Sequence, residues 1–188
     1  MKRPAIILFL LAIATVTLRA QVVESANARS FTIDVGGMGS AFAPNVTGLS
    51  QPPYLINAPA NYLIGVGTYA DLHFSHWVQL EGEARWLRLN EKNNEFEDHY
   101  LIGPKVPLLR LGRAQIYGKG MIGLGRLHFS GGHAYCTAIA LGGGVDYRVS
   151  RKLTFRPVDF EFQDWPKFLD KASSRPYGVS VGVSYRVF

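Results

Sequence analysis

The sequence predicts an all-β protein: an eight-stranded antiparallel up-and-down transmembrane β-barrel. Three observations carry the prediction. Eight segments alternate polar and apolar residues with a period of two, and most are ten residues or longer. Strands of soluble domains usually run about 5–6 residues, whereas a membrane-crossing strand needs about 9–11. The links between segments alternate in length: three short links fall at one end of the strands, and those at the other end are mostly longer. Finally, charged residues make up only 18% of the chain, beside 20 glycines and 12% aromatics, against roughly 25% charge in an average soluble domain.

The chain opens with Lys2 and Arg3, a charge-free apolar run over residues 5–18, and Arg19-Ala20-Gln21. This is the charged start, apolar stretch and small-residue cleavage site of a secretory signal peptide. At 14 residues the run is short for a spanning helix. Residues 1–20 are therefore expected to be removed between Ala20 and Gln21, residues 21–29 to form a periplasmic lead-in, and residues 30–188 to form the barrel. The formal charge is +6, of which Lys2, Arg3 and Arg19 supply three, so the mature chain carries about +3. That excess, without a block of like charges, gives no reason to expect nucleic acid as a partner. The single cysteine, Cys136, excludes an intramolecular disulfide.

The elements follow in order. Segment 30–42 opens the barrel. Segment 62–74 places Tyr62, Ile64, Val66, Thr68, Ala70, Leu72 and Phe74 on one face, with Asp71 and His73 on the other. Segment 77–88 contains WVQLEGEARW, in which Glu81, Glu83 and Arg85 share one register and Val78, Leu80 and Trp86 the other. Segment 98–108 sets Tyr100, Ile102, Val106 and Leu108 against His99 and Lys105. Segments 113–129 and 134–149 are Gly-rich and less regular. Segment 152–165 needs a bulge near Pro157, because Arg156 otherwise shares a register with Val158, Phe160 and Phe162. Segment 177–188 sets Val179, Val181, Val183, Tyr185 and Val187 against Ser180, Ser184 and Arg186. The short links are 75–76, 109–112 and 150–151; the others are 43–61, 89–97, 130–133 and 166–176. Outer-membrane barrels place short turns in the periplasm and longer loops outside.

Alternation does not say which face is inside. A soluble lipocalin-like barrel puts the apolar face inward around a ligand, and an outer-membrane barrel puts it outward. The apolar faces here end in aromatics (Tyr62, Phe74, Trp86, Tyr100, Tyr135, Tyr147), as membrane-interface girdles do. The polar faces mix signs, as side chains that pair across a narrow interior do. Asp71, Glu81, Glu83, Arg85, Lys105, Lys119, Arg148, Asp159, Glu161 and Arg186 are accordingly expected to form a charge network in the lumen. An eight-stranded interior is just wide enough for side chains to fill, so the network is expected to plug it.

The stretches ALGGGVDYRVSRKLTFRPVDFEF (140–162), IGPKVPL (102–108) and YGVSVGVSYRVF (177–188) resemble the later strands of small outer-membrane barrels of the OmpA/OmpX type. The resemblance covers roughly residues 30–188. It implies a monomer surrounded by outer-membrane lipid, with a terminal Phe188 read by the barrel-assembly machinery as an insertion signal. Here Phe188 lies out of register with Val183 and Tyr185, one residue later than the usual aromatic-x-Phe ending. The periplasmic peptidoglycan-binding domain of that family is expected to be lacking.

Candidate chemistry is sparse. His128 and Ser130 have the His-x-Ser spacing of outer-membrane lipid A deacylases, but the Glu such a triad needs is missing where the resemblance puts it, in the stretch AIALGGG (138–144). His73, His76, His99, His128 and His133 do not form a ligand set at metal-binding spacing. The glycines do not form a phosphate loop. No catalysis, cofactor or metal is expected. Loop 43–61, the longest link, is the expected point of contact with an extracellular ligand. The leading expectation is a structural or surface-interaction role; a narrow channel, a lipid A-modifying enzyme and a soluble ligand-binding barrel are the alternatives.

Overall fold

The computed structural model describes residues 31–47, 62–75, 77–89, 96–129, 132–169 and 172–187. The expected signal peptide 1–20, the lead-in 21–29, most of loop 43–61, and Phe188 lie outside the described residues. Among those described, every regular element is a strand: β1 (Thr32–Ala43), β2 (Val46–Thr47), β3 (Leu63–His73), β4 (Gln79–Leu87), β5 (Phe96–Leu111), β6 (Ala114–Phe129), β7 (Gly132–Arg148), β8 (Leu153–Leu169), β9 (Ala172–Ser174) and β10 (Tyr177–Arg186).

Eight of these make a closed, all-antiparallel barrel in the order β1-β3-β4-β5-β6-β7-β8-β10, and β10 pairs with β1 to complete the ring. The predicted fold class is the one observed. Closure pairs every long strand on both sides, so none of the eight presents a free edge to template another chain. At the short-turn end, β5 and β6 are joined by Gly112-Arg113, with Gly112 at φ 61°. A glycine with positive φ at the first position of a two-residue hairpin is the requirement of a II′ turn. The expected link 109–112 was therefore too long: a bulge between Pro107 and Leu109 lets β5 run on to Leu111.

The bulge expected near Pro157 is present. Asp146 on β7 faces both Arg156 and Pro157, since Val145 pairs with Val158 and Tyr147 with Phe155. β10 skips at the same level, between Ser180 and Gly182. Proline lacks the N–H that a ladder would use, so a bulge is where it fits. The extra residue turns Arg156 inward while Val158, Phe160 and Phe162 stay outward.

Two short strands were not legible as segments. Beyond the bend at Pro44-Asn45 (Asn45 φ 43°), β2 pairs with β9, which also pairs with the end of β8. These carry the barrel wall past the main ring at the long-link end. Strands of two or three residues show no period, so alternation cannot reveal them.

The interior has two zones. Toward the long-link end it is apolar: Leu101, Met121, Leu127, Ala134, Cys136, Ala138, Ala140 and Trp165 form one buried cluster, and Phe42, Leu63 and Leu87 another. The small inward residues of β7 explain why that strand reads as nearly apolar on both faces. Space for the Trp165 ring comes from Gly125, where an added Cβ would stand 2.6 Å from the indole. Gly125→Val is expected to destabilise the barrel by about 1–3 kcal/mol through overpacking. A second change, Trp165→Leu, should recover part of that loss. Denaturant unfolding of the single and double variants in lipid vesicles measures both; fully additive costs would place Trp165 elsewhere.

Candidate functional site

Toward the short-turn end the interior is ionic, and its construction follows from strand order. β4 and β8 lie four strands apart in either direction round the ring, so they face each other across the lumen. Alternation points Glu81, Glu83 and Arg85 inward from β4, and Asp159, Glu161 and Gln163 inward from β8. β3, β5, β6 and β7 contribute Asp71, Lys105, Lys119 and Asp146. In a barrel this narrow, side chains from opposite walls meet.

The contacts form successive layers. At the mouth, Arg186 donates two hydrogen bonds to Asp34, at 2.7 and 3.0 Å, and His73 lies 3.0 Å from the same carboxylate. One layer deeper, Lys105 bonds Asp71 (3.0 Å), Glu81 (3.2 Å) and Asp146 (2.7 Å). Arg156 binds four carboxylates: Glu81 at 2.7 Å, Asp146 at 2.9 Å, Asp71 at 3.2 Å and Asp159 at 3.4 Å. Its guanidinium also lies 4.1 Å from the ring centre of Tyr69 and 5.0 Å from that of Tyr117. Above it, the Lys119 ammonium meets Glu81, Glu83, Asp159 and Glu161, all within 3.2 Å. Arg85 then spans the lumen, bonding Glu161 from β8 at 2.7 and 3.1 Å and Glu83 from its own strand at 2.9 Å.

The network ends where the apolar zone begins. Gln163 donates to Glu161 at 2.7 Å and accepts from the Trp165 indole N–H at 2.7 Å. Its amide nitrogen also lies 3.0 Å from His99 Nδ1, and His99 Nε2 lies 3.3 Å from Glu97. Glu81, Arg85, His99, Arg156, Gln163 and Trp165 are completely buried. An ionised carboxylate taken out of water is very costly unless paired, and in the ionic zone Asp71, Glu81, Glu83, Asp146, Asp159 and Glu161 each have a Lys or Arg at hydrogen-bonding distance.

Of the ten residues expected in the network, eight are joined in it: Asp71, Glu81, Glu83, Arg85, Lys105, Lys119, Asp159 and Glu161. Arg186 is held separately by Asp34 at the mouth. Arg148 is a correction: it is exposed at the mouth, where β7 is ending, and among the described residues no carboxylate pairs with it. Arg156, Asp146, Asp34 and the Gln163–His99–Glu97 group were missed. Arg156 had a signal, since the bulge its register demanded also turns it inward. Asp34 and Asp146 stand near strand ends, where alternation has few neighbours to be judged against.

The remaining candidate groups fall elsewhere. Glu81, Glu83 and Asp159 bring carboxylate oxygens within 4.8 Å of one another, the spacing of a metal site, but the Lys119 ammonium bonds all three and supplies the positive charge there. His128 points outward on β6 and stacks on Phe96, with ring centres 4.4 Å apart. Among the described residues no carboxylate bonds to it, and Ser130, like His76, lies outside those residues. His133 is exposed and packs edge-on to Tyr135.

The barrel opens at the short-turn end into a vestibule of about 190 Å³, and every one of the eight long strands contributes to its wall. Asp71 and Asp146, held by Lys105 and Arg156, form its floor. Arg110, Arg113 and Arg148 stand round its rim.

The outward face is apolar round the ring. Val66, Ile102, Ile122, Leu124, Leu141, Phe160 and Val181 are all exposed, and aromatics lie near the strand ends: Tyr62, Tyr100, Tyr135 and Tyr177 at one end, Phe74, Tyr147, Phe155 and Tyr185 at the other.

No protein-family model and no curated protein sequence matches the chain. Its fold is similar to solved structures. Neisserial surface protein A superimposes with a TM-score of 0.60 at 9% identity, over 82% of this chain and 96% of that one. The N-terminal β-barrel domain of OprF from Pseudomonas aeruginosa does so with a TM-score of 0.56 at 11% identity, over 82% and 96%. Both neighbours are small eight-stranded outer-membrane β-barrels. At these identities the likeness is one of fold: a closed, antiparallel ring of eight strands with an apolar outer face.

Proposed function

We propose that this is an outer-membrane β-barrel protein of the OmpA/OmpX type, brought to the periplasm by signal peptide 1–20, with a structural or surface-interaction role and no catalytic activity. The observation that carries the reading is the inversion of the faces: a connected ion-pair network inside, and an apolar belt with two aromatic edges outside. A barrel folded for water has the opposite arrangement.

The height of the belt fits. Tyr62 to Phe74 and Tyr135 to Tyr147 each span 12 residue steps. At about 3.3 Å per residue and a strand tilt of about 40°, that is roughly 30 Å along the barrel axis, enough for an apolar band of about 25 Å and its flanking girdles. The short turns then face the periplasm and the long links face outside, with loop 43–61 the place for an extracellular ligand. The closed ring supports a monomer in lipid. The assembly machinery is proposed to read its last strand and Phe188.

The ion-pair network and the apolar cluster above it support a lumen closed to ions and solutes. In planar bilayers the refolded barrel is expected to give no stable conductance steps, and in cells it should sediment with outer membranes. Large, stable steps would refute the plugged lumen. Recovery as a soluble protein would refute the membrane assignment, and a mass change in lipid A on expression would show an enzyme instead.

A further inference from the structure

We infer that the vestibule at the short-turn mouth is a binding site for a phosphate group, held chiefly by Arg113 and Arg148. The carboxylates lining the cavity already have cations: Asp34 holds Arg186, while Asp71 and Asp146 hold Lys105 and Arg156. Arg113 and Arg148 line the same cavity, and among the described residues no carboxylate meets either. They also stand directly opposite each other. Ala114 pairs with Tyr147, and the Arg148 N–H donates to the Arg113 carbonyl at 2.9 Å.

Like charges opposite one another across two strands destabilise the pair unless something neutralises them. An anion between the two guanidiniums removes that repulsion. Arg110, whose one side-chain partner among the described residues is Gln115 at 3.5 Å, adds a third guanidinium on the neighbouring strand. Gln115, Thr154 and Ser184 line the cavity as neutral hydrogen-bond donors. Guanidinium forks match the oxygen spacing of phosphate and bind it with charge-assisted bonds. At about 190 Å³ the cavity is far above the roughly 10–15 Å³ that one water needs, and has room for a phosphate group.

Two sources present this chemistry at that mouth: a soluble phosphate, and an anionic lipid headgroup bending in from the adjoining leaflet. Binding itself depends only on the geometry of the mouth, while the headgroup arm also rests on the membrane reading. The two therefore fail separately.

The test uses the full barrel in phosphatidylcholine nanodiscs. Calorimetric titration with inorganic phosphate reads the first source. Native mass spectrometry of lipid retained from nanodiscs doped with phosphatidylglycerol reads the second. Saturable binding of either probe is expected, weakened about tenfold or more in Arg113→Gln/Arg148→Gln, as loss of charge-assisted bonds implies. Arg151→Gln, on the exposed β7–β8 turn but outside the cavity, should leave it unchanged. Folding of each variant is checked by its heat-dependent shift on electrophoresis. Phosphate binding alone assigns a soluble ligand, and lipid retention alone assigns a headgroup. Binding of neither probe, equal binding by the double variant, or an equal loss in Arg151→Gln (diffuse surface charge, not a site) overturns the inference.

Discussion

Arg156→Met is expected to cost about 3–5 kcal/mol of folding stability, the usual penalty for removing one member of a buried ion-pair group. Arg156 is fully buried and bonds Asp71, Glu81, Asp146 and Asp159 at once. Methionine keeps the bulk against Tyr69 and Tyr117 but leaves Lys105 and Lys119 to serve those four acids. The penalty is therefore chiefly that of stranded carboxylates, and removing one of them should return part of it. Arg156→Met/Asp146→Asn should be more stable than the single variant. Reversible urea unfolding in lipid vesicles gives both values. A loss below about 0.5 kcal/mol, the range of ordinary surface changes, would mean that Arg156 is solvated and not buried.

Leu141→Arg tests the outer face and should cost about 2–4 kcal/mol, the penalty for a cation at the bilayer midplane. Leu141 points outward from β7, 67% exposed, midway between Tyr135 and Tyr147. Leu80 also faces outward, but it pairs with Leu72, two residues from the girdle residue Phe74. Leu80→Arg should therefore cost less than Leu141→Arg, because its guanidinium can reach the headgroups. This gradient with depth separates lipid from water. Were this same barrel, with these outward faces, surrounded by water, both positions would face solvent, and both changes would fall within about 0.5 kcal/mol. Equal, small effects at Leu141 and Leu80 would overturn the membrane reading. The neighbouring inward change, Glu81→Leu, is also expected to destabilise, for the opposite reason: it removes the one carboxylate that Lys119, Arg156 and Lys105 all bond.

Much of this was legible residue by residue. In WVQLEGEARW every charge lies in one register, and the structure puts that register inside: Gln79, Glu81, Glu83, Arg85 and Leu87 are buried. The same held for Asp71, Lys105, Lys119, Asp159 and Glu161. Arg148 was not legible, because at the last residue of a strand the inward side opens onto the mouth rather than the packed interior. The apolar half of the lumen escaped for another reason: Ala134, Cys136, Ala138 and Ala140 face inward, yet they differ from their outward neighbours in size more than in polarity.

The number of long strands and most of their faces were properties of the sequence alone. Each depends on the local chain: successive side chains point to opposite sides, and turn residues interrupt the pattern. Closure decided the rest. Only when eight strands form a ring do β4 and β8 stand on opposite walls, so that Arg85 reaches Glu161 across 76 residues of chain. The bulge at Pro157 sends Arg156 among four carboxylates drawn from β3, β4, β7 and β8. And only the hairpin register sets Arg113 against Arg148 at the mouth, because which residues share a level of the lumen depends on how neighbouring strands are staggered, and alternation along one strand carries no record of that stagger.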